Sequence, residues 1–183
     1  MAYKIDLNLE LRNIHYSASL SEETNAYSAD VYLDGKKVCT VSNHGQGSCD
    51  DQYWLDPDAE AKVTAAFKAL PMRDTGMELH GEPFMVQPDL EDWCGTEVAV
   101  YLSKRDFARH TKKKVLVVVP GETGEYEWKI DPAKLTAVTT FRDREKPMTY
   151  AAYILSKSKP GARIVNLMTP AEVDAYILSL IHI

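Results

Sequence analysis

Residues 22–53 read EETNAYSADVYLDGKKVCTVSNHGQGSCDDQY, and this stretch predicts a β-hairpin that leads into a polar, glycine-containing loop. Apolar and polar residues alternate over residues 27–33, which is the period of a half-buried strand. Asp34-Gly35 follows, and a two-residue type I′ turn needs positive φ at both of its central positions. Residues 38–41 then predict the returning strand.

The residues before the hairpin predict one more strand of the same sheet. Ile5, Leu7, Leu9 and Leu11 alternate with polar residues, so one face would lie in the core and the other in water. Beyond Asn13 the parity of the apolar positions reverses, which predicts a β-bulge. The N-terminal third therefore predicts a three-stranded antiparallel meander.

Two amphipathic helices are predicted after the meander. Asp56-Pro57 is typical of a helix start, with Asp as the N-cap and Pro at the first helical position. Asp89 opens a second helix that would run over residues 89–112. Residues 71–88 contain several prolines and glycines and no sustained period, so they are interpreted as an irregular linker.

The C-terminal half predicts a second hairpin and a helical end. The run VLVVV at residues 115–119 is typical of a strand that is buried on both faces, and residues 126–130 would pair with it. Thr169-Pro170 followed by acidic residues opens a terminal helix. We therefore predict a single α+β domain over residues 1–183: an antiparallel β-meander with amphipathic helices packed on it, a second β-hairpin and a C-terminal helix. Its parts are the meander with the first helix (1–70), the linker (71–88), the helix, hairpin and helical end (89–177), and a separate tail (178–183).

The tail reads LSLIHI and coincides with a translation of CTG-TCT-CTT-ATA-CAC-ATC, a transposon end that is used as a sequencing adaptor. We interpret residues 178–183 as a sequencing-adaptor artefact in a gene taken from a metagenome. The alternative is the ordinary end of an amphipathic helix. His182 is therefore excluded from any site.

Composition restricts the classes of function. The formal charge is −6, which argues against sequence-independent binding to a nucleic-acid backbone. This net charge does not exclude a local basic pocket. Three cysteines without paired spacing are typical of a reduced protein. The longest purely apolar run, residues 115–119, is too short to cross a bilayer, and no signal peptide is recognised. A cytoplasmic location in a host cell, without membrane contact, is expected.

The hairpin and the loop together resemble an uncharacterised group of small proteins of bacteria, their phages and plasmids. The similarity lies in the opening strand and, within residues 22–48, in the Glu-Thr pair before the second strand, the Asp-Gly-Lys hairpin and the Ser-Asn-x-Gly-x-Gly loop. Residues 115–135 and 162–178 also resemble the C-terminal section of that group. The group carries no assigned activity, so the resemblance implies only the context of a phage or mobile-element accessory protein.

The loop after the hairpin holds most of the reactive side chains of the N-terminal half. His44 and Cys49 could form a nucleophile pair or, with Asp50 and Asp51, a metal site. The alternative is a polar connector, and no second His or Cys pair stands at metal-ligand spacing. No catalytic residue, metal or cofactor is therefore assigned.

The same loop has glycines and hydroxyls that could direct backbone N–H groups at a phosphate or a carboxylate. It is neither a Walker loop nor a dinucleotide-binding fingerprint, and its glycines could serve backbone geometry alone. The candidate ligand-binding or partner-binding residues of this loop are Asn43, His44, Gly45, Gly47 and Ser48.

Aromatic and charged residues add further candidates. Tyr53 and Trp54 follow the loop and could stack on a base or contact a partner protein. Arg142 and Arg144 could form the positive rim of a nucleotide pocket, the alternative being a solvated face. Acidic residues near Tyr53 could mimic nucleic-acid charge toward a basic protein. They are Asp50, Asp51, Asp56, Asp58 and Glu60.

These observations favour a phage or mobile-element accessory protein that is a non-catalytic binder. It would antagonise host defence by binding a bacterial host protein or by sequestering a small nucleotide signal. The alternatives are a small hydrolase that uses the His44/Cys49 loop and a phage structural or assembly protein. The sequence does not decide the oligomeric state, and a homo-oligomer is compatible with it.

Overall fold

The computed structural model describes residues 5–122 and 124–181, and these residues form four α-helices and eleven β-strands. The α+β class predicted from the sequence is confirmed. The helices are α1 Pro57–Lys68, α2 Leu90–His110, α3 Tyr150–Lys157 and α4 Pro170–Ile181. The strands are β1 Leu9–Tyr16, β2 Tyr27–Leu33, β3 Lys36–Asn43, β4 Asp51–Trp54, β5 Arg73–Leu79, β6 Glu82–Val86, β7 Val115–Val118, β8 Glu125–Trp128, β9 Val138–Thr139, β10 Met148–Thr149 and β11 Arg163–Ile164.

Contacts divide the chain into two compact units, Met1–Ala99 and Val100–Ile183, and the boundary falls within α2. We call them the N-unit and the C-unit. The single domain expected from the sequence stays a prediction. None of the described helices combines the length and the apolar character that a membrane span requires.

The N-unit contains an antiparallel sheet with the strand order β1-β2-β3-β4. The meander therefore has a fourth strand, whereas the sequence predicted three strands and a connection from the loop directly into the first helix. β4 pairs with β3, with Trp54 opposite Cys39 and Asp51 opposite Ser42. β4 has four residues with little buried surface, so its sequence carries no hydrophobic alternation from which a strand could be predicted.

The turn and the bulge of the meander are confirmed. Asp34 and Gly35 have φ values of 52° and 80°, as a type I′ turn requires. The pairing of β1 with β2 shifts register between Arg12 and His15, where Asn13 has a φ of 54°. β1 itself is shorter than the alternation predicted, because it begins four residues later than Ile5.

The stretch interpreted as an irregular linker, residues 71–88, instead forms a second hairpin. β5 pairs with β6 in an antiparallel arrangement. The chain turns at His80 and Gly81, whose φ values are 58° and 84°. Nearly every residue of both strands is exposed, so the hairpin lacks the apolar face that would have indicated it in the sequence.

The predicted first helix is confirmed as α1. The Asp56 carboxylate accepts hydrogen bonds from the N–H groups of Asp58 and Ala59, each with a donor–acceptor distance of 3.2 Å, and thus caps the helix. α1 buries Val63 and Phe67 on one face. This face lies beside β4 and so positions the candidate site.

The C-unit is built around β7, the central strand of the order β11-β7-β8. Its residues are buried on both faces, as predicted from the VLVVV run. Leu116 and Val118 belong to one core cluster, and Val115 and Val117 belong to another.

The terminal helix α4 begins with a capping box. The Thr169 hydroxyl accepts from the N–H of Glu172, and the Glu172 carboxylate accepts from the N–H of Thr169. The last residues of α4 overlap the tail that was interpreted as an artefact, since the helix runs to Ile181. Residues 182–183 lie outside the described residues.

Candidate functional site

Asn43, at the end of β3, organises the loop that connects β3 to β4. Its side chain is 7% exposed. The amide oxygen accepts from the Thr24 hydroxyl over 2.7 Å and from the N–H of Gly45 over 2.8 Å. The amide nitrogen donates to the Ser48 carbonyl and the Asp50 carboxylate, each over 2.9 Å. Both donors and both acceptor positions of Asn43 are thus used inside the fold.

The two loop glycines have backbone roles. The N–H of Gly45 donates to Asn43, and the N–H of Gly47 donates to the Thr24 hydroxyl over 3.3 Å. Gly45 has a φ of 84°, and a Cβ there would lie 2.2 Å from the Leu20 carbonyl oxygen. The N–H groups of the two loop glycines are therefore already engaged within the fold and are not free for a phosphate.

His44 and Cys49 are both exposed, and the structure does not pair them. The Nε2 atom of His44 lies 3.2 Å from a carboxylate oxygen of Asp51, and both side chains are more than 70% exposed. Within the described residues, no hydrogen bond joins Cys49 to His44, and no group of three or more His, Cys, Asp or Glu residues could hold a metal ion. A thiolate nucleophile needs a base or a positive environment, and the neighbouring side chains here are acidic.

Beneath the loop lies a half-buried acidic cluster that joins Asp50 to Glu91, a residue that was not singled out in the sequence. The Tyr27 hydroxyl donates to the Asp50 carboxylate, and burial followed by this bond raises the pKa of Tyr27. Glu91 on α2 lies close enough to Asp50 for the two residues to interact electrostatically. Burial raises the pKa of Glu91, and the neighbouring charges of Asp50 and Asp89 raise it further. Glu91 is distant from the loop in sequence, so no local pattern could indicate this contact.

Tyr53 and Trp54 lie on β4, the edge strand of the sheet, and their side chains point to opposite faces. Tyr53 is 70% exposed. Trp54 is half-buried and lines a pocket of about 250 Å³ together with Val63 and Phe67 of α1. Of the two predicted aromatic contacts, Tyr53 is therefore the one presented to solvent.

A polar network on the outer face of the sheet leads to Tyr53. The Asp30 carboxylate accepts from the Asn13 amide over 2.9 Å and from the Thr40 hydroxyl over 3.2 Å. The ammonium of Lys37 lies 2.6 Å from the same carboxylate. The Asn13 bond, followed by the Lys37 bond, lowers the pKa of Asp30. Thr40 is the β3 partner of Tyr53, so the ring stands at the edge of an ordered polar face.

The N-unit is strongly acidic. It contains 7 Lys and Arg against 18 Asp and Glu, a formal charge of −11. Asp51, Asp58 and Glu60 are exposed near Tyr53 in the sequence. Asp56 is an ion-pair partner of Lys36 over 2.9 Å and caps α1, so it serves the fold as well.

The predicted site residues fall in different units. Residues 43–54 are in the N-unit, whereas Arg142 and Arg144 are in the C-unit. Arg144 donates to the Ser156 hydroxyl over 2.6 Å. The loop and the two arginines are therefore described as two separate groups.

Comparison of the chain with models of known protein families, with curated proteins and with solved structures finds no match. The resemblance to small bacterial, phage and plasmid proteins thus stays an expectation, and function is argued from the residues themselves.

Proposed function

We propose that this protein is a phage or mobile-element accessory protein that binds a bacterial host protein without catalysis and thereby antagonises host defence. The observation that supports this proposal most directly is Tyr53, which is 70% exposed on edge strand β4 of a unit with a formal charge of −11. We call Tyr53 with Asp51 and Gln52 the β4 surface.

The β4 surface has the features of a protein contact. An edge strand has one row of unpaired backbone N–H and C=O groups that can pair with a strand of another protein. Tyr is enriched among the residues that contribute most to binding energy, because its ring buries a large area and its hydroxyl bonds at the rim. Gln52 and Tyr53 are exposed beside each other on this strand.

The charge of the N-unit favours a basic partner. An excess of carboxylates attracts a surface rich in Lys and Arg and accelerates encounter with it. Host defence proteins that act on nucleic acids carry such surfaces for the phosphate backbone. An acidic surface that occupies one would exclude the nucleic acid by competition, with no chemical step.

The hydrolase alternative has no comparable support. Cys49 has no hydrogen bond to His44 among the described residues, and His44 faces the carboxylate of Asp51. Nucleotide capture by the loop is also disfavoured, because the N–H groups of Gly45 and Gly47 are already engaged.

The proposal can be tested by phage infection. The protein is expressed in bacterial strains that each carry one defence system, and the plating efficiency of a restricted phage is measured. We expect plating to recover in at least one strain. Tyr53→Ala should reduce the recovery, whereas Cys49→Ala and His44→Ala should leave it unchanged.

The partner from the responsive strain is then purified, and its affinity is measured with each variant. Loss of the Tyr53 ring should weaken binding by about 1–3 kcal/mol, and Tyr53→Phe, which keeps the ring, should be intermediate. Recovery that is lost in Cys49→Ala but kept in Tyr53→Ala would show that the binder proposal is wrong. Failure to recover plating with any defence system would overturn the role in host defence.

A further inference from the structure

The C-unit carries a net positive charge, although the net charge of the whole chain is negative. Residues 100–183 contain 14 Lys and Arg against 9 Asp and Glu, a formal charge of +5, although the complete chain carries −6. An excess of Lys and Arg on one unit is typical of a surface that binds anions. The net charge of the chain therefore does not describe what this unit can bind.

Part of this positive charge lies around an aromatic ring of α3. The loop between β9 and β10 folds over α3, and Phe141 stacks on Tyr153 with ring centroids 3.8 Å apart and planes 3° from parallel. The guanidinium carbon of Arg144 lies 5.9 Å from the centre of the Tyr153 ring, and the ammonium of Lys157 lies 5.7 Å from it. Aromatic rings and cations are thus interleaved, as they are where proteins bind nucleotides.

Arg144 has donors that the fold does not use. One terminal nitrogen donates to Ser156 over 2.6 Å. The Nε atom is shielded from solvent and has no hydrogen-bond acceptor, and a buried donor without an acceptor costs about 1–3 kcal/mol. The terminal nitrogens of the guanidinium carry further N–H donors, and an oxyanion beside them would accept hydrogen bonds from these. Arg142, two positions earlier, is exposed and has no ion-pair or hydrogen-bond partner among the described residues.

A cavity of about 250 Å³ adjoins this cluster through Lys157. Its lining includes Tyr126, Trp128, Lys157 and Lys159. The Lys159 ammonium lies 5.7 Å from the centre of the Tyr126 ring, which repeats the cation–aromatic arrangement at Tyr153. The cavity therefore offers aromatic walls for a flat ring and cations at the side where it meets the cluster.

Two ion pairs hold these lysines without neutralising the surface. Lys157 lies 2.5 Å from Asp143, and Lys159 lies 2.8 Å from Glu122, and all four side chains are at least one-third exposed. Exposed ion pairs contribute only about 0–1 kcal/mol. A phosphate can therefore replace the carboxylate partner of either lysine at little cost in free energy. The nearby acids Asp143, Glu122 and Glu145, the last of which is exposed, would repel the phosphate.

We infer that this part of the C-unit binds a nucleotide, with an aromatic ring against the base and with Arg144 and Lys157 on the phosphate. We call Arg142, Arg144, Tyr153, Lys157, Tyr126 and Lys159 the nucleotide surface. The ligand class is a nucleoside phosphate, either free or as one unit of a single strand. This inference is independent of the β4 surface, which lies in the other unit and would contact a protein.

The test uses the full chain and fluorescence anisotropy at low salt. The probes are ADP with a fluorophore on the ribose, and short end-labelled single strands of DNA and RNA. We expect saturable binding of at least one probe that weakens as salt is added. Binding of labelled ADP would identify a free nucleotide as sufficient, whereas binding of the strands alone would identify a polymer as the ligand.

Variants separate this surface from general charge attraction. Lys157→Glu should weaken binding at least about tenfold, whereas Lys113→Glu should change it less than about twofold. Lys113 is an exposed lysine of the C-unit, so both variants change the net charge of the C-unit by the same amount. Arg142→Glu is the second surface variant and replaces Lys157→Glu if the latter does not fold. Tyr126→Ala should weaken binding about fivefold or more, and Tyr126→Phe should retain it.

Three outcomes would overturn the inference. The first is that no probe binds to a folded protein. The second is that Lys113→Glu weakens binding as much as Lys157→Glu, which would indicate diffuse charge. The third is that tripolyphosphate competes as well as ADP while Tyr126→Ala has no effect, which would indicate an anion site without a base contact. None of these outcomes affects the phage-plating test of the β4 surface.

Discussion

The side-chain amide of Asn43 donates to the Asp50 carboxylate over 2.9 Å, and this bond spans the loop between β3 and β4. The Tyr27 hydroxyl donates to the other oxygen of the same carboxylate. The loop is thus attached to β2 and β3 from inside the fold. Its hydrogen bonds stabilise the edge strand that presents Tyr53.

Asn43→Ala should destabilise the protein substantially. The substitution removes a buried amide with four hydrogen bonds and leaves the N–H of Gly45 and the carboxylate of Asp50 without this partner. We expect the free energy of unfolding, measured by urea titration, to fall by about 2–4 kcal/mol. Gln46→Ala is the control, because that exposed side chain makes no hydrogen bond within the described residues and should change stability by less than about 0.5 kcal/mol. Equal effects of the two variants would contradict the central role of Asn43.

Gly45→Ala and Gly35→Ala separate steric clash from backbone strain. Both glycines have positive φ, 84° and 80°, so both variants should lose about 1–2 kcal/mol from strain. A Cβ at Gly45 would also lie 2.2 Å from the Leu20 carbonyl, whereas at Gly35 it would meet open space. We expect the melting temperature of Gly45→Ala to be clearly the lower one. A melting curve of Gly35→Ala that matched the wild type would mean that the Asp34-Gly35 turn does not need its positive φ.

Asp30→Asn and Glu91→Gln should have opposite effects that depend on pH. Hydrogen bonds from Asn13 and Lys37 lower the pKa of Asp30, so its charge stabilises the fold above the unfolded pKa near 3.9, and this contribution is lost as pH falls through the folded pKa. Burial and neighbouring acids raise the pKa of Glu91, so its charge destabilises the fold at neutral pH, and this penalty disappears as pH falls to about 4. In urea titrations, Asp30→Asn should be less stable than the wild type at pH 7, and Glu91→Gln should be more stable. Both differences should shrink in acid, and differences that stay constant with pH would contradict the assigned charges.

The three cysteines should react at different rates in the native protein. Cys49 is exposed, whereas Cys39 and Cys94 are buried. Burial raises the pKa of the Cys39 thiol to about 11 and also raises the pKa of Cys94, so little thiolate forms at pH 7. Mass spectrometry after brief treatment with iodoacetamide should find one modified residue, Cys49. Denatured protein is the control, in which all three should react, and rapid native labelling of Cys94 would show that its environment is open.

Deletion of residues 178–183 should leave the fold intact. Leu178 is exposed, whereas Ile177, immediately before it, is fully buried in the core of the C-unit. We expect a small change in melting temperature from the deletion, whereas Ile177→Ala, the contrasting variant, should lose about 2–5 kcal/mol. If the deletion lowers stability as much as Ile177→Ala does, the end of α4 belongs to the packed core and the interpretation of the tail as an artefact fails.

The elements that the sequence alone determined depend on neighbouring residues. The Asp34-Gly35 turn follows from the φ angles that these two residues accept, and the starts of α1 and α4 follow from side chains that cap N–H groups two or three positions away. The strand β7 follows from a continuous apolar run whose residues can only be buried. In each case the physical cause acts within a few residues, so it is visible in the pattern.

Tertiary structure alone decided the features whose partners are distant in sequence or whose strands are exposed. β4 and the hairpin of β5 with β6 have no apolar face, so only pairing with another strand makes them strands. The roles of the loop residues also changed. Asn43 and Gly45 were predicted to bind a ligand but use their polar groups within the fold, because their partners come from other segments of the chain. The proximity of Asp50 to Glu91, which are far apart in the sequence, arises only when the chain folds. The fold also sets the boundary between the two units, and the net charge of the whole chain does not show that one unit is acidic and the other basic.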